Sequence, residues 1–167
     1  MKCKKLCLVM LAVISLSGCS KKSIYDYKRF KSDFEALVNI NDISSDNSFV
    51  AGNISAKYKL LDNGFYQYQI EFTNPNRTYE SFSFLIMENR VKSVDDNYYA
   101  TIGYHMINNY IFTNDSAYEK SDCVSNKFLF TWLSDSTEGY LKCYFTYKDN
   151  GERKSNVFKV TNYVQIV

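Results

Sequence analysis

One histidine, one proline and six glycines are all that this chain of 167 residues holds of those types, and it has no long apolar run. The single histidine, His105, excludes most zinc sites and most histidine-dependent catalytic arrangements, which need several ligands or a base with partners. It neighbours Thr101 and Gly103 on its own strand face, the setting of a solvent-facing side chain. The glycines fall at turns rather than in a phosphate-cradling loop, and no serine sits in G-x-S-x-G. The longest apolar stretch, Leu6 to Leu16, covers 11 residues and is broken by Ser15. Crossing a bilayer core takes about 20 helical residues. With 23% charged and 17% aromatic residues the chain is not disordered, and its length suits one domain.

The amino terminus reads as an export signal. Lys2, Lys4 and Lys5 precede the short apolar stretch, and small residues follow it. Those residues are Leu16-Ser17-Gly18-Cys19, and all four resemble the lipobox of bacterial lipoproteins, Leu-[Ala/Ser]-[Gly/Ala]-Cys. The resemblance implies that the thiol of Cys19 is alkylated by a diacylglyceryl group and that a signal peptidase cuts before it. Residues 1–18 are then the signal peptide and residues 19–25 a lipidated tether. Two or more acyl chains, at about 0.8 kcal/mol per buried methylene, anchor stably where one chain would not. The expected location is the extracytoplasmic side of the cell membrane or envelope. Lys21 and Lys22 could meet anionic headgroups, or simply keep the tether solvated.

Removing the signal changes the charge. The formal +2 belongs to the whole chain; without Lys2, Lys4 and Lys5 there are 17 basic against 18 acidic side chains, near −1. No basic stripe remains, so nucleic acid is not an expected partner. All 15 tyrosines and 12 phenylalanines stay in the mature part.

Residues 26–45 are expected to form a short helix and linker. Phe30, Phe34, Leu37 and Val38 share one helical face, and Ser32 with Glu35 fits a capping box that would start the helix near Asp33. That face suits docking on the domain better than lying on a membrane, since only Lys28, Arg29 and Lys31 supply a basic side. Residues 46–167 then alternate with period two. Strands are expected around 54–60, 66–72, 82–86, 98–106, 110–112, 128–132, 141–147 and 157–167, with turns at Asp62-Asn63-Gly64, Asn74-Pro75-Asn76 and Asp149-Asn150-Gly151. The fold class is all-β: an antiparallel β-sandwich, immunoglobulin-like, with one short N-terminal helix. Cys123, Trp132 and Cys143 follow the immunoglobulin order but not its spacing.

The candidate chemistry is sparse. Cys123 and Cys143 either form a disulfide, worth roughly 3 kcal/mol for a loop of this length, or Cys143 packs as a buried thiol within its strand. Asp95-Asp96 has no coordinating spacing, and no metal or cofactor is expected. Asp62 with Glu71 could serve a hydrolase, but surface acids are the default reading. The excess of tyrosine stands out, because some strands carry aromatics on both faces. Tyr99, Tyr140 and Tyr144 are the candidate binding surface, unless the helix covers such rings or tyrosine serves only as a strand former. The expected role is a lipid-anchored binding or interaction module for a protein or glycan partner, not an enzyme. The alternatives are an envelope hydrolase using loop carboxylates and a structural subunit of an envelope complex. Replacing Cys19 by Ala is expected to abolish incorporation of labelled fatty acid and release the protein from membranes; labelling that survives would refute the anchor.

Overall fold

The computed structural model describes residues 25–43, 51–104, 110–118, 123–161 and 163–166. The signal peptide, the lipobox with Cys19, Lys21 and Lys22 of the tether, and His105 lie outside the described residues. The helix α1 runs Tyr27–Asn39 and starts earlier than the Ser32/Glu35 pattern suggests. Asp26 caps it instead: its carboxylate accepts the Arg29 N–H at 3.1 Å, filling one of the donors that a helix start leaves open. Phe30, Asp33, Phe34 and Leu37 make its buried face.

Ten strands follow among the described residues: β1 Asn53–Leu60, β2 Tyr66–Thr73, β3 Glu80–Glu88, β4 Tyr99–Ile102, β5 Tyr110–Phe112, β6 Cys123–Ser125, β7 Lys127–Ser134, β8 Leu141–Asp149, β9 Glu152–Val160 and β10 Val164–Gln165. They form a sheet of order β10-β1-β2-β7, a second of order β4-β3-β8-β9, and the small pair β5-β6. Among the described residues the chain is mostly β with one α-helix, as the alternation implies. Pairing is not antiparallel throughout, however: β10 runs parallel to β1, and β5 parallel to β6.

Local chemistry explains where strands end. Asn150 and Gly151 both have positive φ, 51° and 83°, and with Asp149 paired to Glu152 they close the two-residue hairpin that Asn-Gly favours. The strand expected over 98–106 stops at Ile102 because Gly103 turns away with φ 81°. A Cβ at Gly103 would lie 2.1 Å from the Phe82 carbonyl oxygen, so the backbones approach too closely for any side chain.

The two four-stranded sheets meet through one core. Tyr68, Ile70 and Phe72 of β2 and Phe128, Phe130 and Trp132 of β7 pack against Phe82, Phe84 and Ile86 of β3, Cys143 and Phe145 of β8 and Phe158 of β9. Phe72 and Phe84 have ring centroids 4.4 Å apart, and Phe82 stacks on Phe128 at 4.7 Å. A second core forms on the other face of the second sheet. There Phe30, Phe34 and Leu37 of α1 pack with Leu85 and Met87 of β3, Val91 and Tyr104. Every residue of β3 from Phe82 to Glu88 is consequently buried.

Cys143 decides between the two readings of the cysteines. Opposite Ile86 and Phe158 in the ladder, it carries a free thiol that is wholly buried, and burial pushes that thiol well above its ordinary value. The Cys123–Cys143 bridge is not formed. Denaturation in an alkylating agent without reductant should therefore label Cys143, while the folded protein leaves it untouched. Recovery of a Cys123–Cys143 cross-linked peptide would contradict this arrangement.

Candidate functional site

The second face of the β4-β3-β8-β9 sheet is where charged and aromatic side chains gather, and α1 organises them. Asp33 sits on the apolar face of α1, one position from Phe34, and is buried. Its carboxylate accepts Arg153 of β9 at 2.5 Å and the Tyr104 hydroxyl at 3.1 Å. Burial, followed by the charge of Asp33, pushes the Tyr104 phenol well above its ordinary range. At the other end of the helix Lys142 of β8, only 3% exposed, donates to the carbonyls of Ile40 at 2.7 Å, Val38 at 3.1 Å and Leu37 at 3.4 Å. A cation there satisfies carbonyls that the helix end leaves unpaired and complements its dipole. Burial lowers the ammonium below its usual value, and the charge of Lys92 adds to the effect.

Between α1 and the loop 92–94 lies a groove of about 380 Å³. Phe34, Val38 and Val94 give it apolar lining; Lys31, Glu35, Asn39, Lys92 and Ser93 supply polar groups, and Tyr27 stands beside them. Tyr27 is 54% exposed. The loop wall is firmly built: Val94–Asp96 is one turn of 3-10 helix with Ser93 as its cap. The Asp96 carboxylate accepts the backbone N–H of Lys92 at 2.7 Å and of Ser93 at 2.9 Å. Those two bonds hold its carboxyl below the usual carboxylate range.

A second polar cluster lies where β3 and β7 end. The Glu88 carboxylate, buried, accepts the Trp132 indole N–H at 3.1 Å and Arg90 Nε at 2.6 Å. Arg90 also pairs with Asp135 at 2.5 Å, donates to Ser134 Oγ at 3.1 Å and lies 4.0 Å over the Tyr98 ring. The Arg90 bonds hold the Asp135 carboxyl below its usual range. Arg90 thus joins both carboxylates and ties the ends of β3 and β7 together.

The sequence-selected residues fall out differently. Tyr99 is half-buried against Phe34 and Phe30, with centroids 5.2 and 5.8 Å apart. Tyr144 is half-buried against the same helix-covered core. Tyr140, also half-buried, lies 5.9 Å under the Lys159 ammonium. Tyr99 and Tyr144 thus share the helix-covered core, and Tyr140 is placed instead beside Lys159. Asp62 is an exposed turn residue, whereas Glu71 lies mid-strand and pairs with Lys127 at 2.9 Å. The structure does not bring those two acids together. Among the described residues no group of three or more His, Cys, Asp or Glu could hold a metal ion, and no helix is long and apolar enough to cross a membrane.

No known protein family, curated protein or solved structure matches the chain. The functional reading therefore rests on the site. The groove and its helix ties escape pattern reading because they join segments far apart in sequence. One signal pointed to them: Asp33 occupies an apolar-face position of α1, where a charge requires a partner.

The groove wall should respond to acid. A carboxyl held low in the folded state stabilises above its ordinary value of about 4 and loses that contribution as pH falls through the folded value. Amide-exchange protection of Lys92 and Ser93 should be present near neutrality and disappear in strong acid, and Asp96→Asn should remove the pH dependence. Protection that persists unchanged in acid would refute the role of Asp96.

Proposed function

We propose that this chain is a lipid-anchored envelope protein whose β domain binds a glycan in the groove beside α1. The four matching lipobox residues support the anchor at Cys19 and an extracytoplasmic location. The order of the sheets supports an immunoglobulin-like sandwich. Strands β1-β2-β7 take the places of A, B and E, and β4-β3-β8-β9 those of C′, C, F and G. The departure is in the core, where Trp132 lies on the E-like strand and Cys143 on the F-like strand is a free thiol.

The observation that carries the binding reading is the groove itself. Its volume, about 380 Å³, falls in the range of small-ligand sites. It joins apolar lining from Phe34, Val38 and Val94 to directional polar groups from Glu35, Asn39, Lys92 and Ser93. An extended segment of a protein partner is the second reading, favoured by the same apolar lining.

Soluble fragments of bacterial cell-wall glycan, titrated against the full chain in detergent, test the proposal. Val94→Trp, which fills the groove, and Lys92→Glu should each weaken binding at least about tenfold, or roughly 1.4 kcal/mol, in protein shown by circular dichroism to be folded. Binding unchanged in both variants would overturn the assignment of the groove. Peptide mapping of the mature protein tests the anchor separately: an acylated Cys19 supports it, and a Cys19–Cys123 disulfide would exclude it.

A further inference from the structure

Six large hydrophobic side chains are exposed among the described residues, and only two are aromatic: Tyr25 at 40% and Tyr27 at 54%. Both stand where the chain enters α1, at the end of the domain nearest in sequence to Cys19. Lys28 follows them, and Lys31 lies one turn further, both exposed. Elsewhere on the described surface the exposed hydrophobics are the aliphatic Leu60, Leu129, Val164 and Ile166.

Chain length turns this placement into a constraint. From Cys19 to Tyr25 is six residues, which reach about 20 Å when fully extended. A domain of this size has a radius of gyration of roughly 15 Å, so its breadth exceeds that reach. A lipid-bearing Cys19 therefore holds the Tyr25 end of the domain close to the headgroups and keeps distant faces away. Tyrosine suits that depth, since its ring is apolar and its hydroxyl stays wet. Lysines beside it gain near anionic headgroups.

We infer that the amino-terminal end of α1 is the membrane-facing pole of the domain, with Tyr27 seated at the headgroup level of an anionic bilayer and Lys28 beside it. This rests on the anchor at Cys19. At this end Asp26 is answered by Arg29 at 3.7 Å and Lys31 by Glu35 at 3.8 Å, which leaves Lys28 as the exposed cation beside Tyr27.

The protein's own tryptophan makes the contact measurable. Trp132 is 3% exposed between the two sheets and serves as an internal, lipid-shielded reference. Full-chain protein carrying Tyr27→Trp, and separately Leu129→Trp on the opposite side of the domain, is reconstituted into vesicles of phosphatidylglycerol and phosphatidylcholine. The vesicles are made with or without lipids brominated near the carbonyl end of the acyl chain. The Tyr27→Trp protein should show blue-shifted extra emission that bromination reduces about twofold, as expected at the interface; wild type and Leu129→Trp should not change. Unquenched emission from Tyr27→Trp in protein that floats with the vesicles overturns the contact and leaves the anchor standing. Quenching at Leu129→Trp would assign the opposite face to the bilayer and overturn it as well. Protein that neither floats nor carries acyl mass at Cys19 overturns the anchor and the contact together.

Discussion

The sheet β4-β3-β8-β9 carries apolar side chains on both faces, and both must leave water. On one face Phe84, Ile86, Phe145 and Phe158 meet the other sheet; on the other Leu85, Met87, Tyr99 and Tyr144 need a separate cover. A single facing sheet covers only one side. The helix α1 is the second cover, and its docking decides how the chain leaves the domain, which side chains can be charged in the interior, and where a groove forms.

The energetics divide between burial and orientation. Burying Phe30, Phe34 and Leu37 contributes about 1.5–3 kcal/mol each, set against the cost of ordering a helix of 13 residues. The ion pair of Asp33 with Arg153 adds little net stability, because desolvation offsets much of its attraction, yet an alternative seat for the helix would leave a charge buried without a partner. Lys142 acts likewise at the carboxyl end. Hydrophobic area thus holds the helix down, and the charges select one position and direction for it. The groove depends on that position, since one wall belongs to α1 and the other to the loop 92–94.

Much of this was legible from residue order. Period-two alternation located β1, β2, β3, β7 and β8 nearly to their ends, and Asn150-Gly151 marked its hairpin. The apolar positions of α1 foretold docking rather than a free helix. What failed had physical causes. Asp26 is a better cap than Ser32 because it lies just before the first helical turn, where open N–H groups need an acceptor. Gly103 ended β4 for a reason visible only in space, the approach of the Phe82 carbonyl. Cys143 is open in sequence to either a bridge or a buried thiol, and the ladder, which places it between Ile86 and Phe158 in the core, decides for the thiol. The tyrosines drew attention correctly as a second aromatic face, but α1 covers most of that face and leaves Tyr25 and Tyr27, next to the tether, as the exposed aromatic pair.

The helix is therefore at once the lid of a core and a groove wall, and in the proposed function it is also the link toward the anchor; all of these require it to stay docked. Native-state hydrogen exchange measures that directly. If α1 is an integral cover, the amides of Phe34 and Leu37 exchange about as slowly as those of β3 and β8, and all are released together in global unfolding. Exchange of α1 at the rate of an unstructured peptide, while β3 and β8 stay protected, would contradict the account.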